Sequence, residues 1–231
     1  MTVLHLADEG EAADLAAFLS RLLHYDRSAA VRLQAAGTAL AVFGRPPSFE
    51  VLAIRAVRLA KPYENGLDVM LDVTVSAGEL LEALDESAAT AAVPAEVTGP
   101  PWAGVLPPRG GWRPEPGLPA PDALRAMVRA GVAEFRSRTQ ELTQEERTRA
   151  ELDRIGREIW SRSVGDTHLP VRAVHAAQSL GFLRLRQDPH APDEAQLALF
   201  SSGAWLRLRT PYGSIAVRRA GLGALDVSVS R

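Results

Sequence analysis

The chain's 231 residues, 46% hydrophobic and 23% charged, are enough to bury a core and too apolar for a disordered segment. Cysteine is absent, which excludes a disulfide framework, thiolate metal sites and cysteine nucleophiles, and fits a reducing, cytoplasmic compartment. The formal net charge of −2 conceals an asymmetry, with 9 basic and 16 acidic side chains in residues 1–124 against 17 and 12 in residues 125–231, so the second half either attracts the first or meets an anionic partner.

The opening MTVLHLADEGEAAD has no basic region, so no signal peptide is expected. No apolar run approaches the roughly 20 residues of a spanning helix, so no membrane partner is expected either. Asp8, with Glu11 three residues on, predicts the cap of a first helix whose Leu15, Phe18, Leu19, Leu22 and Leu23 share one face and which ends near His24-Tyr25. Strands are expected over 30–34 and 38–43 around Gly37, then over 49–59 and 67–75, with Asn65-Gly66 as a hairpin turn. Asp68 and Asp72 share the polar side of the last strand and read as a solvated pair. Ser76 to Glu79 is a capping box that opens another helix.

Residues 97–121, VTGPPWAGVLPPRGGWRPEPGLPAP, exclude helix and central strand, because each proline removes a donor and biases the residue before it to extended geometry. Trp102 and Trp112 are too apolar for a solvated linker. The stretch is therefore read as an ordered strap, with the two tryptophans as a possible protein interface; a polyproline-type ligand is the alternative.

Beyond it, Asp122 predicts the cap of a helix carrying Leu124, Met127, Val128, Val132 and Phe135 on one face. Thr143 to Glu146 is a third capping box, and the helix it opens is expected to run to about Arg162 with Glu145–Arg149, Asp153–Arg157 and Glu158–Arg162 pairs. The exposed start of that helix is a candidate partner contact. A short helix follows from Pro170 to Leu180, with Gly181 as its stop. Strands are then expected over 182–186, 197–200, 204–209, 214–219 and 225–229, with a polar loop over 187–195.

One pattern repeats. Phe182-Leu-Arg-Leu-Arg186 and Trp205-Leu-Arg-Leu-Arg209 alternate alike, so on strands Phe182, Arg184, Arg186, Trp205, Arg207 and Arg209 share a face opposite the leucines. Arginines among aromatics suit stacked bases and a phosphate backbone. The same pattern also fits a solvated sheet in a protein whose basic residues are almost all arginine, Lys61 being the single lysine. The order of three helices and a hairpin also matches a winged helix-turn-helix, with Arg172, His175 and Gln178 on the reading helix and residues 207–219 as the wing.

No phosphate loop, nucleophile elbow or glycine fingerprint is present, so no cofactor and no catalytic residue are assigned. Asp166, His168 and His175 would need a shared pocket to act together, and His190 reads as solvated. Val31 to Val42 loosely resembles Leu206 to Val217, strand–turn–strand ending in Ala-Val. The arginine and alanine usage resembles conserved proteins of high-GC, actinobacterial type, and no motif points to a characterised family.

The expected fold is α+β: a helix–meander–helix half over residues 1–90, a strap over 91–121, and a helical half over 122–231 ending in a small antiparallel sheet. The expected function is non-catalytic protein interaction or self-association, the alternative being nucleic-acid binding through the arginine–aromatic face.

Overall fold

A computed structural model describes residues 2–60, 71–184 and 197–219. The chain is α+β. A strand β1 (Val3–His5) precedes helix α1 (Glu9–Tyr25), strands β2 (Ala30–Ala36), β3 (Ala39–Gly44) and β4 (Leu52–Arg58) form a meander, and β5 (Leu71–Ser76), expected as its fourth strand, instead crosses back to pair with β2. Helix α2 (Ala77–Glu82) and the short strands β6 (Leu84–Asp85) and β7 (Thr90–Ala92) complete the first half. Strand β8 (Arg113–Glu115) leads into helices α3 (Pro121–Glu141), α4 (Arg149–Trp160) and α5 (Val171–Ser179). Strands β9 (Ala198–Ser202), β10 (Trp205–Thr210) and β11 (Gly213–Arg218) close the described chain. The Asn65-Gly66 turn, Asp68, Leu185, Arg186, the 187–195 loop with His190 and the 225–229 strand lie outside the described residues.

The eight-stranded sheet has the order β5-β2-β3-β4-β11-β10-β9-β8, all antiparallel. Its centre is the seam between β4 and β11, where Leu52 faces Ala216 and Ile54 faces Ser214. On either side of the seam the build is the same. A helix, α1 or α5, precedes a three-stranded meander and lies over the last strand of its own meander, β4 or β11. Topologically β10 thus answers to β3 and β11 to β4. The likeness between residues 31–42 and 206–217 pairs β2–β3 with β10–β11 instead, one strand out of step, so it reports a shared hairpin shape only.

Alternation sorts the sheet into two faces. Val31, Leu33, Leu40, Val42, Ala53, Val57, Leu206, Leu208, Ile215 and Val217 point to the helices and join Leu15, Phe18, Leu19, Leu22, Val174 and Ala177 in the main core. The opposite face carries a second apolar cluster, Phe43, Leu52, Ile54 and Ala216, against which Trp102, Leu106 and Trp205 pack. That cluster is where the strap lies. It leaves the β5 edge by a bridge between Val75 and Glu96, makes a 3-10 turn at Pro101–Gly104, crosses the sheet, and ends as β8 on the far edge. The strap thus contains a strand after all. Pro114 is tolerated there because β8 is an edge strand, where one missing donor breaks no ladder on its free side.

The caps at Asp8 and Ser76 form as expected, accepting from the backbone N–H of Glu11 (2.9 Å) and Glu79 (3.3 Å). The Thr143 box forms too, with Glu146 accepting from Thr143 N–H and Oγ1, yet it closes a single turn. The α4 helix begins at Arg149, where Thr148 accepts from Glu151 N–H at 3.2 Å. Of the expected i,i+4 pairs, Glu158–Arg162 is present at 3.9 Å, whereas Arg149 pairs forward with Asp153 at 3.6 Å. Shorter contacts join the two helices, with Arg138 of α3 meeting Glu158 at 2.8 Å and Arg162 meeting Glu134 of α3 at 2.5 Å. α3 itself starts at Pro121 with Ala120 in the cap position, and Asp122 sits in its first turn, paired with Arg125. The small sheet β1-β7-β6 was not expected, because strands of two or three residues carry no periodic signal.

Two larger corrections concern the repeated pentapeptide and the wing. Phe182 and Leu183 form a turn after α5, not a strand, and Phe182 is a core residue stacked on Phe18 with ring centroids 5.5 Å apart. The wing hairpin β10–β11 is hydrogen-bonded on both outer sides, to β9 and to β4, so it is not free to enter a groove.

Candidate interaction face on the strap side of the sheet

Three arginines stand on the strap side of the C-terminal strands, and each lies over an aromatic ring. The Arg207 guanidinium is 5.8 Å from the Trp112 ring, Arg209 is 5.0 Å from Phe200, and Arg218 is 5.3 Å from Trp205. The strand register explains two of these contacts, since Arg218 directly faces Trp205, and Phe200, which faces Arg207, is the diagonal neighbour of Arg209 on the same face. Trp112 comes from the strap, where its indole N–H donates to Pro108 O at 3.0 Å. None of the three arginines has a carboxylate partner among the described residues. The described residues of the first pentapeptide, 182–184, contribute nothing here. Arg184 lies on the other side of the sheet, where it donates to Asp14 at 2.6 Å and covers the Tyr212 ring at 4.1 Å.

The strap divides this face into two recesses. The first, of about 340 Å³, has Leu52 and Ala216 as its floor, Trp102 and Trp205 as walls, and Arg45 and Arg218 at its rim. Val105 of the strap stands 47% exposed beside it, an unusual position for a large aliphatic side chain. Glu50 is also at the rim, 4.0 Å from the Arg172 guanidinium. The second recess, of about 360 Å³, lies beneath Pro107 and Pro108 and is lined by Arg207 and Arg109. Asp72 closes one end, held by Arg32 at 2.7 Å and Gln34 at 3.1 Å. Its hydrogen bond from Arg32 keeps its carboxyl below the usual range.

The three possible acid–base residues do not converge on either recess. Asp166 and His168 are exposed on the turn before α5, with Asp166 against Gly117 of the strap. His175 is held elsewhere, between Trp160 (4.4 Å, stacked) and Phe49 (5.1 Å, edge-on). Among the described residues, no group of three metal-ligating side chains is positioned to hold an ion, and no helix is long and apolar enough to cross a membrane.

Comparison with known families matches residues 107–222, half of the chain, to Domain of unknown function (DUF8185). The chain belongs to the DUF8185 family. Residues 1–104 match a second family, Domain of unknown function (DUF8010). No curated protein matches the chain. The border between the two matches falls inside the strap, so the β4–β11 seam is where the DUF8010-like meander and the DUF8185 meander share hydrogen bonds.

Within the DUF8185 region the short helix α5 has Val171, Ala173, Val174, Ala176 and Ala177 buried against the sheet and neighbouring helices. Of its polar side, Gln178 is exposed, Arg172 donates to Ser161 Oγ at 3.5 Å, and His175 is covered by the two rings. A base-reading helix needs these three free together, and here they are not. Burial pushes the His175 imidazole below its ordinary pKa. The unfolded chain therefore takes up a proton first as pH falls. Stability from this site is complete above the ordinary imidazole range and is lost as pH drops through it towards the lowered folded value. Urea midpoints measured from mildly alkaline to mildly acidic pH should fall in the native chain, and the fall should be shallower in His175→Phe. Equal slopes would show that other groups set the acid limb.

The residues that sequence reading missed are those joined over long range. Trp102 and Trp205 are 103 positions apart, and no local pattern says that they wall one recess. Arg55 did carry a signal. It alternates with Val51, Ala53 and Val57 on the apolar side of its strand, and a lone cation in such a row implies a buried partner.

Proposed function

We propose that this chain is a non-catalytic interaction protein that seats an apolar anchor of a partner protein, flanked by acidic residues, in the Trp102–Trp205 recess. The observation that carries this reading is the convergence of two tryptophans on an apolar floor, with Arg45 and Arg218, neither of which has a carboxylate partner among the described residues, at the rim. Tryptophan and arginine around a small apolar recess are the residue types on which binding energy concentrates. An acidic flank follows from charge complementarity with the rim. The lack of cysteine supports a reducing, cytoplasmic setting for it.

A displayed library of short random peptides, selected on the intact chain, tests this. Winners should share a large apolar residue beside Asp or Glu. Synthetic versions should bind Trp205→Ala and Trp102→Ala at least roughly tenfold more weakly than the native chain. Selection without a consensus, or winners that bind the variants equally, would count against it. Concentration-dependent sedimentation of the free chain, abolished by the same substitutions, would identify the partner as a second copy.

The three arginine–aromatic pairs favour a second reading, nucleic-acid binding. Titration of single-stranded and duplex oligonucleotides at low and moderate salt separates the two. Binding that falls steeply with salt and is lost in Arg207→Ala/Arg209→Ala/Arg218→Ala would assign the face to nucleic acid. Weak binding at low salt, unchanged in that variant, would leave the peptide reading in place.

A further inference from the structure

Arg207 is in an uncommon position for a cation. Its Nε is buried with no hydrogen-bond partner, and the side chain makes no hydrogen bond or ion pair with any described residue. Three other arginines have a buried, unbonded Nε, and each meets an oxygen nearby. Arg55 donates to Glu11 at 2.9 Å, Arg219 to Glu115 at 2.6 Å, and Arg172 lies 4.0 Å from Glu50. Arg207 has only the Trp112 ring. Burial, and then the neighbouring charge of Arg209, push its pKa below the ordinary guanidinium value. Asp72 does not supply Arg207 with an anion, since Arg32 and Gln34 already hold both of its oxygens.

Besides Arg109, Gln34 and Asp72, the recess beside this charge is lined by apolar residues. Ala41, Phe43, Ile54 and Ala56 of the sheet form one wall of the recess and Pro107 and Pro108 of the strap form the other. The two alanines have short side chains, which open a floor that larger residues would fill. At about 360 Å³ the recess is of the size that takes a small organic molecule. We infer that it binds a small organic carboxylate, with the carboxylate on the Arg207 guanidinium and an apolar body between the sheet and the prolines. Arginine matches a carboxylate in plane and charge. A bare inorganic anion would leave the alanine, phenylalanine and proline surfaces unfilled. The site goes beyond the peptide reading, because it lies on the other side of the strap from the Trp102–Trp205 recess.

Calorimetric titration of the full chain with octanoate, and with 1-octanol as the uncharged control, tests the inference. Octanoate should bind saturably at one site, and 1-octanol at least roughly tenfold more weakly. Arg207→Met keeps length and removes charge. It should weaken octanoate roughly tenfold and leave 1-octanol unchanged. No saturable octanoate binding, equal affinity for acid and alcohol, or full affinity in Arg207→Met would each overturn the site. If Arg207→Met does not fold, the arginine Nε–H nuclear magnetic resonance spectrum of the native chain decides. Octanoate must shift the Arg207 signal, identified by its loss in Arg207→Lys, and an unmoved signal overturns the proposal. A short peptide ending in a free leucine carboxylate, run beside its amide, separates a chain terminus from a free acid as the source. Preference for the free carboxylate in either form upholds the shared chemistry.

Discussion

Phe182→Ala is expected to destabilise the fold by about 3–5 kcal/mol, the range for an aromatic side chain cut out of a core. Phe182 is 2% exposed and stacked on Phe18 of α1, and it lies directly beneath Gly213 at the start of β11. A Cβ at Gly213 would stand 2.6 Å from the Phe182 ring, so strand and ring are in contact with no room between them. Removing the ring loses its buried area and leaves a void that touches α1, α5 and the central strands at once. Urea unfolding followed by circular dichroism should show a lower midpoint at unchanged slope. Gly213→Ala approaches the same contact from the other side and should also destabilise, by overpacking. A stability loss below about 1 kcal/mol for Phe182→Ala would mean that the ring is not the core residue described here.

The Phe182 result also bears on what a sequence pattern can tell. Phe182-Leu-Arg and Trp205-Leu-Arg read identically, and one lies in a turn while the other lies in a strand. The difference comes from Gly181, whose φ of +75° stops α5 and sends the chain straight down into the core, with Phe182 N–H donating to Ala177 O. The glycine was legible as a helix stop; that the next residue is swallowed by the core was not, because burial is set by α1, which lies far away in sequence. Locally encoded features were read well. The Asp8 and Ser76 caps, the meander strands and the apolar–arginine alternation of β10 all depend on neighbours within a few residues. The candidate face depends on contacts between β10, β4 and the strap, and the seam depends on a match between strands 160 residues apart. Only the apolar tryptophans of a proline-rich stretch hinted at it, by requiring something for the strap to lie on.

Arg55→Met should cost about 3 kcal/mol, whereas Arg58→Met, three residues further along β4, should cost less than about 1 kcal/mol. Both arginines reach the same carboxylate, Glu11, at 2.9 Å. They differ in their surroundings. Arg55 has 7% of its side chain exposed, points into the helix side of the sheet, and also meets Asp14 at 3.3 Å and Tyr212 O at 2.8 Å. Arg58 is 72% exposed, so water screens its pair and replaces it when it is lost. Arg55 therefore ties α1 and β4 of the first half to the β10–β11 turn of the second, beside the seam. Without it, Glu11 keeps Arg58, but the Tyr212 carbonyl and the inner side of both carboxylates lose their donor in a place water reaches poorly. The pair Arg55→Met/Glu11→Leu should recover part of the loss, because removing both charges is less costly than stranding one. Chemical denaturation of the three variants against the native chain measures this. Equal losses for Arg55→Met and Arg58→Met, or no recovery in the double variant, would show that Arg55 is not the buried link between the halves.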